Sequence, residues 1–287
     1  MELKEIRLRD PFILPYSNEY YMYGSRSETS DEKKTQLGCD VYKSRDLKQW
    51  SDAKRVVGQE KNGEGEDVFW APEIHIYQDK FYMFVTLKKA NKCRGTYIFV
   101  SDTPDGEFQP HSIGSITPSD WECLDGTLYM ENDIPYMVFC HEWLQVHDGE
   151  ICAVELSQDL KRAVGEPKLL FKGSDVNWVR DMKAGDYITD GCFLFKEDGI
   201  LYMLWSSFDS NGYVQALAYS KSGDLFGEWK HNHELLYDKD GGHGMLFNDF
   251  KNNRRCVLHT QNCSEVSIPA IYDFVKKDIC EYELKQI

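Results

Sequence analysis

The chain has no apolar run long enough to cross a bilayer, no stretch rich in Lys and Arg, no C-x-x-C pair, and no linker rich in Pro, Ser or Gly. Each absence closes a class of function. Without roughly 20 consecutive apolar residues there is no membrane-spanning helix to place. A net charge of −15 with no basic run argues against nucleic acid and anionic membrane as partners, because a polyanion would be repelled. The opening segment MELKEIRLRDPF alternates polar and apolar residues and offers no export signal. Nine scattered cysteines, an odd count, read as reduced thiols rather than a disulfide frame or a zinc site. Together these set the expectation of a cytoplasmic protein. A nucleophile elbow, a phosphate loop and a dinucleotide fingerprint are also missing, and the Gly-rich run from Lys239 to Gly244 reads as a turn. With no linker to divide it, the chain 1–287 is expected to form a single domain.

What is present is an aromatic content of 14% and a phrase that recurs five times. A sharp corner (Asp-Pro, Pro-Glu, Asp-Gly or His-Gly) is followed by two short aromatic-rich runs around a polar turn. It reads DPFILPYSNEYYMYGS from Asp10, APEIHIYQDKFYMFVT from Ala71, DGTLYMENDIPYMVF from Asp125, DGCFLFKEDGILYMLWS from Asp190 and GHGMLFNDFKNNRRCVLH from Gly242. With Asp10, Pro72, Asp125, Asp190 and His243 as markers the period is about 53 to 65 residues, the range of propeller blades. Paired runs flanking a polar turn are the signature of a hairpin. A second phrase follows four of the hairpins: VYKSRDLKQW, YIFVSDTPDGEF, AVELSQDLKRAV and ALAYSKSGDLFGEW, each a strand, a Ser-led turn and an outer edge. That makes four strands per repeat, so the expected fold is all-β, a five-bladed β-propeller. The last repeat lacks the second phrase. Either Leu3 to Arg7 pair with it to close the ring or the ring closes without strand exchange. The stretches Gln59 to Phe69 and Gly173 to Thr189 are expected to be loops at the pocket face or rim.

In a propeller the starts of the innermost strands line the central channel, which places Asp10, Asp125 and Asp190 together. Cleaving an acetal between sugars takes one group to protonate the leaving oxygen and another to activate water, so a pair of carboxyls of unlike proton affinity serves. Crowded carboxylates perturb one another in the way this requires.

The combination of Arg9-Asp10-Pro11-Phe12-Ile13, Trp70-Ala71-Pro72-Glu73-Ile74, Asp125, Asp190-Gly191 and His243-Gly244, in this order along the whole chain, resembles glycoside hydrolase family 43. The resemblance implies a propeller that hydrolyses arabinose- or xylose-containing saccharides with inversion, as a β-xylosidase or α-L-arabinofuranosidase does. It implies that Asp10 is the general base, that Asp125 orients the acid and tunes its pKa, and that His243 lies on the channel axis, where a Ca2+ ion or a water sits; no other cofactor is expected. The chain departs from the pattern at the acid, where the family's Glu is replaced by Asp190, one methylene shorter. Glu142, in the phrase CHEWLQVHDGE, is the rival acid. Trp70, Glu73, His141, Trp143, Trp178, Arg180 and His259 are candidate sugar-binding residues.

The leading expectation is an exo-acting glycosidase trimming short oligosaccharides. The alternatives are a sugar-binding propeller that has lost catalysis, motivated by Asp190, and a related propeller acting on galactosides or by phosphorolysis, for which Arg9, Arg180 and Lys88 are the candidate phosphate partners.

Overall fold

The computed structural model describes residues 1–26, 38–58, 68–89, 91–264 and 266–287. Each repeat folds into one four-stranded antiparallel sheet whose strands run in chain order. The first blade comprises β1 (Leu8–Tyr16), β2 (Glu19–Arg26), β3 (Gly38–Ser44) and β4 (Lys54–Gly58). The second is β5 (Val68–Tyr77), β6 (Lys80–Lys88), β7 (Gly95–Ser101) and β8 (Gln109–Pro110). The third is β9 (Cys123–Glu131), β10 (Ile134–His141), β11 (Glu150–Leu156) and β12 (Ala163–Lys172), and the fourth is β13 (Asp190–Glu197), β14 (Ile200–Phe208), β15 (Tyr213–Ser220) and β16 (Trp229–His231). The last blade, β17 (Gly241–Asn248), β18 (Arg254–Thr260), β19 (Ile268–Asp278) and β20 (Glu281–Gln286), is complete without help from the N-terminus. Five such sheets make a five-bladed β-propeller.

The hairpins form where the sequence marks them. Ser17-Asn18, Gln78-Asp79, Asn132-Asp133 and Asp198-Gly199 each link an inner strand to its neighbour, and all eight residues have positive φ. Two-residue turns of this kind match the strand twist, and Asn, Asp and Gly tolerate them best. The Ser-led turns are equally regular: Ser44, Ser101 and Ser220 each end a third strand, Ser157 directly follows one, and each hydrogen-bonds a residue two positions on.

Alternation along each strand feeds two cores. Met137 and Phe139 pack toward the second blade with Tyr82, Phe84 and Ile98, while Val138 and Cys140 pack toward the fourth with Met203 and Trp205. Both faces are buried, so β10 reads as a continuous apolar run rather than an alternating one. The ring closes by packing: Met245, Phe247 and Val257 of the last blade meet Leu8, Ile13 and Met22 of the first, and the Leu8 N–H donates to the Ser267 carbonyl at 3.2 Å. Of the expected loops, 59–67 lies outside the described residues and Val68–Phe69 begin β5. The segment from Gly173 to Thr189 carries one short 3-10 turn and runs beside the β10–β11 connection, with the Tyr187 N–H donating to the His147 carbonyl. No helix among the described residues is long and apolar enough to cross a membrane.

Candidate active site

Every inner strand is bulged near its start. Register shifts fall after Arg9, Trp70, Leu124, Asp190 and Gly242, and the residues that follow, Asp10, Ala71, Asp125, Gly191 and His243, all have φ between 45° and 56°. Pairing across each bulge fixes the equivalence. Arg9 faces Ser25, Trp70 faces Thr86, Leu124 faces Cys140, Asp190 faces Ser206 and Gly242 faces His259. The axial residues therefore form two tiers. One is Arg9, Trp70, Leu124, Asp190 and Gly242; the other is Asp10, Ala71, Asp125, Gly191 and His243. This corrects the sequence alignment at two corners: Ala71 rather than Pro72, and Gly191 rather than Asp190, occupies the place of Asp10 and Asp125. Asp190 belongs to the other tier, so the three carboxylates are neighbours but not equivalents.

A bulge leaves a backbone N–H outside the ladder, and each one needs a partner. Four are caught by a side chain on the second strand of the preceding blade. The Ala71 N–H donates to Ser25 Oγ at 2.7 Å, Asp125 to Thr86 Oγ1 at 2.9 Å, His243 to Ser206 Oγ at 2.7 Å, and Asp10 to His259 Nδ1 at 3.2 Å. At the remaining junction the second-strand position is Cys140, and the Gly191 N–H donates instead to the Asp125 carboxylate at 3.0 Å. Asp125 is thereby bonded to the corner that carries Asp190.

These tiers surround a cavity of about 220 Å³ lined by Asp10, Asp125, Asp190, His243, Trp70, Arg9 and Arg94, with Ser25, Thr86, Leu124 and Tyr213. Within it the carboxyls differ. Burial works to raise Asp10, but His243 Nδ1 stands 3.1 Å from Oδ1 and Ser25 Oγ donates to Oδ2 at 2.6 Å, and the imidazolium holds this carboxyl well below the usual range. Burial, with the Asp10 charge adding to it, pushes Asp125 up to about 6 against the pull of His243. Burial, followed by the charge of Asp125, pushes Asp190 up to about 8. His243 in turn rises to about 10, because Asp10 and Asp125 outweigh the cost of burying its charge. Behind it His259 is lowered to about 4 by burial and is neutral, its Nδ1 receiving the Asp10 N–H while Nε2 pairs with Asn262 at 3.0 Å.

The structure has the fold of known glycosidases, and the sequence assigns it. The family model for glycosyl hydrolases family 43 matches residues 3–270. The chain belongs to glycosyl hydrolase family 43. The crystal structure of an endo-arabinase from Bacteroides thetaiotaomicron superposes with a TM-score of 0.88 at 37% identity, covering 100% of this chain and 99% of that one. A thermostable family-43 glycoside hydrolase gives 0.85 at 21% identity, with 100% and 96% covered. The α-L-arabinofuranosidase from Lactobacillus brevis gives 0.79 at 14%, with 100% and 98% covered, a likeness of fold. A comparison with curated proteins finds no match.

Several residues expected in the site of this family 43 enzyme stand elsewhere. Glu142 is buried but does not line the cavity; its Oε2 accepts from Arg94 Nη2 at 2.7 Å. His141 is stacked on Trp121 with centroids 4.1 Å apart and bonded to Gln145 and Glu150, and Trp143 opens a four-residue helix, α1 (Trp143–Val146), away from the cavity lining. That polar cluster supports a wall rather than contacting the sugar space. Trp178 packs on Trp205 at 5.1 Å in the core between the third and fourth blades, and Arg180 is exposed. Glu73 is buried beside the cavity and bonded to His75 at 3.1 Å, and Lys88 pairs with Glu122 at 2.9 Å. His259 supports Asp10 from behind. Trp70 and His243 do line the cavity.

The missed residue of greatest weight is Arg94, on the β6–β7 connection. Its guanidinium faces the cavity, lies 5.9 Å over the Trp70 ring, and is held by Glu142 and by Glu122 Oε2 at 3.0 Å. Nothing local in NKCRGT marks it, since its partners are 28 and 48 residues away. As a cation site, the centre is poor: no group of three or more His, Cys, Asp or Glu among the described residues is placed to hold an ion. His243 Nδ1 is engaged with Asp10, so any ion on the axis would draw its ligands mainly from water, and no chemical step is routed through one.

Proposed function

We propose that this family 43 enzyme hydrolyses arabinose- or xylose-containing oligosaccharides with inversion, releasing sugars from a chain end. Asp10 is the general base and Asp190 the general acid. The observation that carries the reading is the divergence of two carboxyls lining one cavity: Asp10 is held anionic by His243, while Asp190 keeps its proton to about pH 8. Asp190 is the source of the proton that the leaving oxygen receives, Asp10 takes a proton from the attacking water, and Asp125 fixes the acid's corner through the Gly191 N–H. Inversion requires about 6.5 to 9.5 Å between the two carboxyls to admit that water. Trp70 and Arg94 flank the bound ring, the indole offering a face and the guanidinium donors to hydroxyls.

A cavity of about 220 Å³ suits one sugar ring, which favours attack at a chain end. Cleavage within the chain is the second reading, favoured by the 37% identity to a protein named as an endo-arabinase. Nine free thiols suit a reducing compartment and support action in the cytoplasm on imported oligosaccharides.

Incubation with linear arabino- and xylo-oligosaccharides, followed by chromatography and by NMR of the first anomer released, tests all of this. Monosaccharide as the sole early product supports chain-end attack, whereas a ladder of oligomers supports internal cleavage. Asp10→Asn and Asp190→Asn are each expected to lower kcat about 10²- to 10⁴-fold, the usual worth of a positioned acid or base. Undiminished turnover by Asp10→Asn would overturn the assignment.

A further inference from the structure

Asp190 is one methylene shorter than the Glu that the family resemblance calls for. The space beside it is occupied by a phenol. Tyr213, at the start of β15, lines the same cavity, and its hydroxyl donates to Asp190 Oδ2 at 3.2 Å; at that distance it can accept instead when the carboxyl carries the proton. From these placements we infer that Tyr213 is the group that hands the proton to the glycosidic oxygen, with Asp190 as its supplier. The inference rests on the reading of Asp190 as the acid.

The ring is built into position from every side. It stacks on His259 with centroids 5.4 Å apart and planes 13° from parallel, and Phe208 lies against it at 5.0 Å. Its backbone N–H is tied to Asp240 Oδ1 at 3.2 Å. The tier that holds Arg9, Trp70, Leu124 and Asp190 has glycine at its fifth place, and a Cβ on Gly242 would sit 2.8 Å from the Tyr213 ring. The absent side chain leaves the slot next to Asp190 for the phenol.

The chemistry suits the placement. Burial, with the charge of Asp190 next, keeps the phenol far above its ordinary pKa, so it stays neutral and cannot itself serve as the acid reservoir. A neutral hydroxyl has one proton to give and lone pairs to receive another. In the concerted step the Asp190 proton passes to the phenolic oxygen as the phenolic proton passes to the leaving oxygen. The bond from the anomeric carbon to that oxygen breaks with its electron pair going to oxygen. The water oxygen bonds to the anomeric carbon on the other face and gives its proton to Asp10. Tyr213 ends as it began, Asp190 has lost one proton and Asp10 has gained one, and exchange with solvent resets the pair. The relay lengthens the reach of the shorter acid by about one hydrogen bond, 2.6 to 3.2 Å.

The test compares Tyr213→Phe, Asp190→Asn and the double variant Tyr213→Phe/Asp190→Glu on two substrates. One is an arabino-oligosaccharide, whose leaving group needs a proton; the other is a dinitrophenyl arabinoside, whose leaving group does not. Tyr213→Phe is expected to lose about 10²-fold or more on the oligosaccharide and at least tenfold less than that on the aryl glycoside. Restoring the longer acid should recover tenfold or more of the oligosaccharide rate, because Glu can then reach without the phenol. The wild-type proton inventory in mixed light and heavy water should curve, reporting two protons in flight. Equal losses on both substrates, no loss, or no recovery in the double variant would overturn the relay, each pointing to a phenol that only packs or orients. If Asp190→Asn retains full oligosaccharide turnover, the acid assignment itself fails; if it abolishes turnover while Tyr213→Phe does not, only the relay fails.

Discussion

The charge pattern of a few buried side chains sets how the enzyme should respond to pH. In the proposed mechanism Asp190 carries a proton to act, so kcat/KM on oligosaccharides is expected to fall by one proton's slope as pH rises through about 8. Asp10, held anionic far below the ordinary carboxylate range, should impose no acid limb above about pH 4. Stability follows the same carboxyl with a definite sign. The folded proton affinity of Asp190 is raised from 3.8 to about 8, so its contribution is fully present below the unfolded value and is lost as pH rises through the folded one. Asp190→Asn has no proton to lose. Its melting temperature should exceed that of the wild type by a few degrees near pH 9, about 1 to 3 kcal/mol, and by less near pH 6; a pair of calorimetric scans at the two values decides it. Asp10, Asp125, Asp190, Trp70 and His243 were legible because a sharp corner in a repeated phrase places its residues at the axis whatever else varies. Arg94 and Tyr213 were not, since each reaches the cavity from a later strand or turn with no local signal. Glu142 and His141 stand out in the sequence because polar side chains amid apolar ones imply a partner, and the partners in the structure are a cavity-lining arginine and a stacked indole.

Among the elements, the inner strand with its bulge is the unit that matters. Five bulges share one backbone bend, and four pass their spare N–H to Ser25, Thr86, Ser206 or His259 of the preceding blade. The junction with Cys140 differs, and there Asp125 receives the Gly191 N–H. Cys140→Ser offers a hydroxyl at the place where Ser25 and Ser206 stand in their blades. It is expected to compete for the Gly191 N–H, loosen Asp125 from the corner that carries Asp190 and lower kcat about tenfold, with stability changed by less than about 1.5 kcal/mol for so small a replacement. Steady-state kinetics beside urea melts would check it. Gly191 itself has φ of +56°, and a Cβ there would lie 2.8 Å from the His243 ring. Gly191→Ala should cost about 1 to 3 kcal/mol and disturb the His243–Asp10 pair, seen as a lower melting temperature together with lost turnover. The hairpins were readable because polar turn residues interrupt aromatic runs at regular intervals. The bulge was not: periodicity shows where a strand begins but not which of two adjacent residues takes the left-handed bend, and this is why the alignment slipped by one at Pro72 and Asp190.

For the molecule as a whole, the absence of the Ser-led phrase from the last repeat left the closure open, and the structure settles it. The last blade is built from its own four strands, and Leu3–Glu5 form a short turn packed beside it. Glu2 and Leu3 share a groove with Gln286 and Ile287, so the two ends of the chain are neighbours. Joining them with a short flexible linker and opening the chain between Ile113 and Gly114, in an exposed turn, should therefore give a folded enzyme with activity within about tenfold of the parent. Circular dichroism and turnover of the permutant test this, and failure to fold would mean that the order of blades along the chain matters to the ring. Among the contacts that join last and first blades is the backbone of Asp10, and among those that join third and fourth is the carboxylate of Asp125. Heat cannot part the blades at either place and leave a working centre behind, so inactivation and loss of tertiary structure should trace one curve, with no folded but inert species between them.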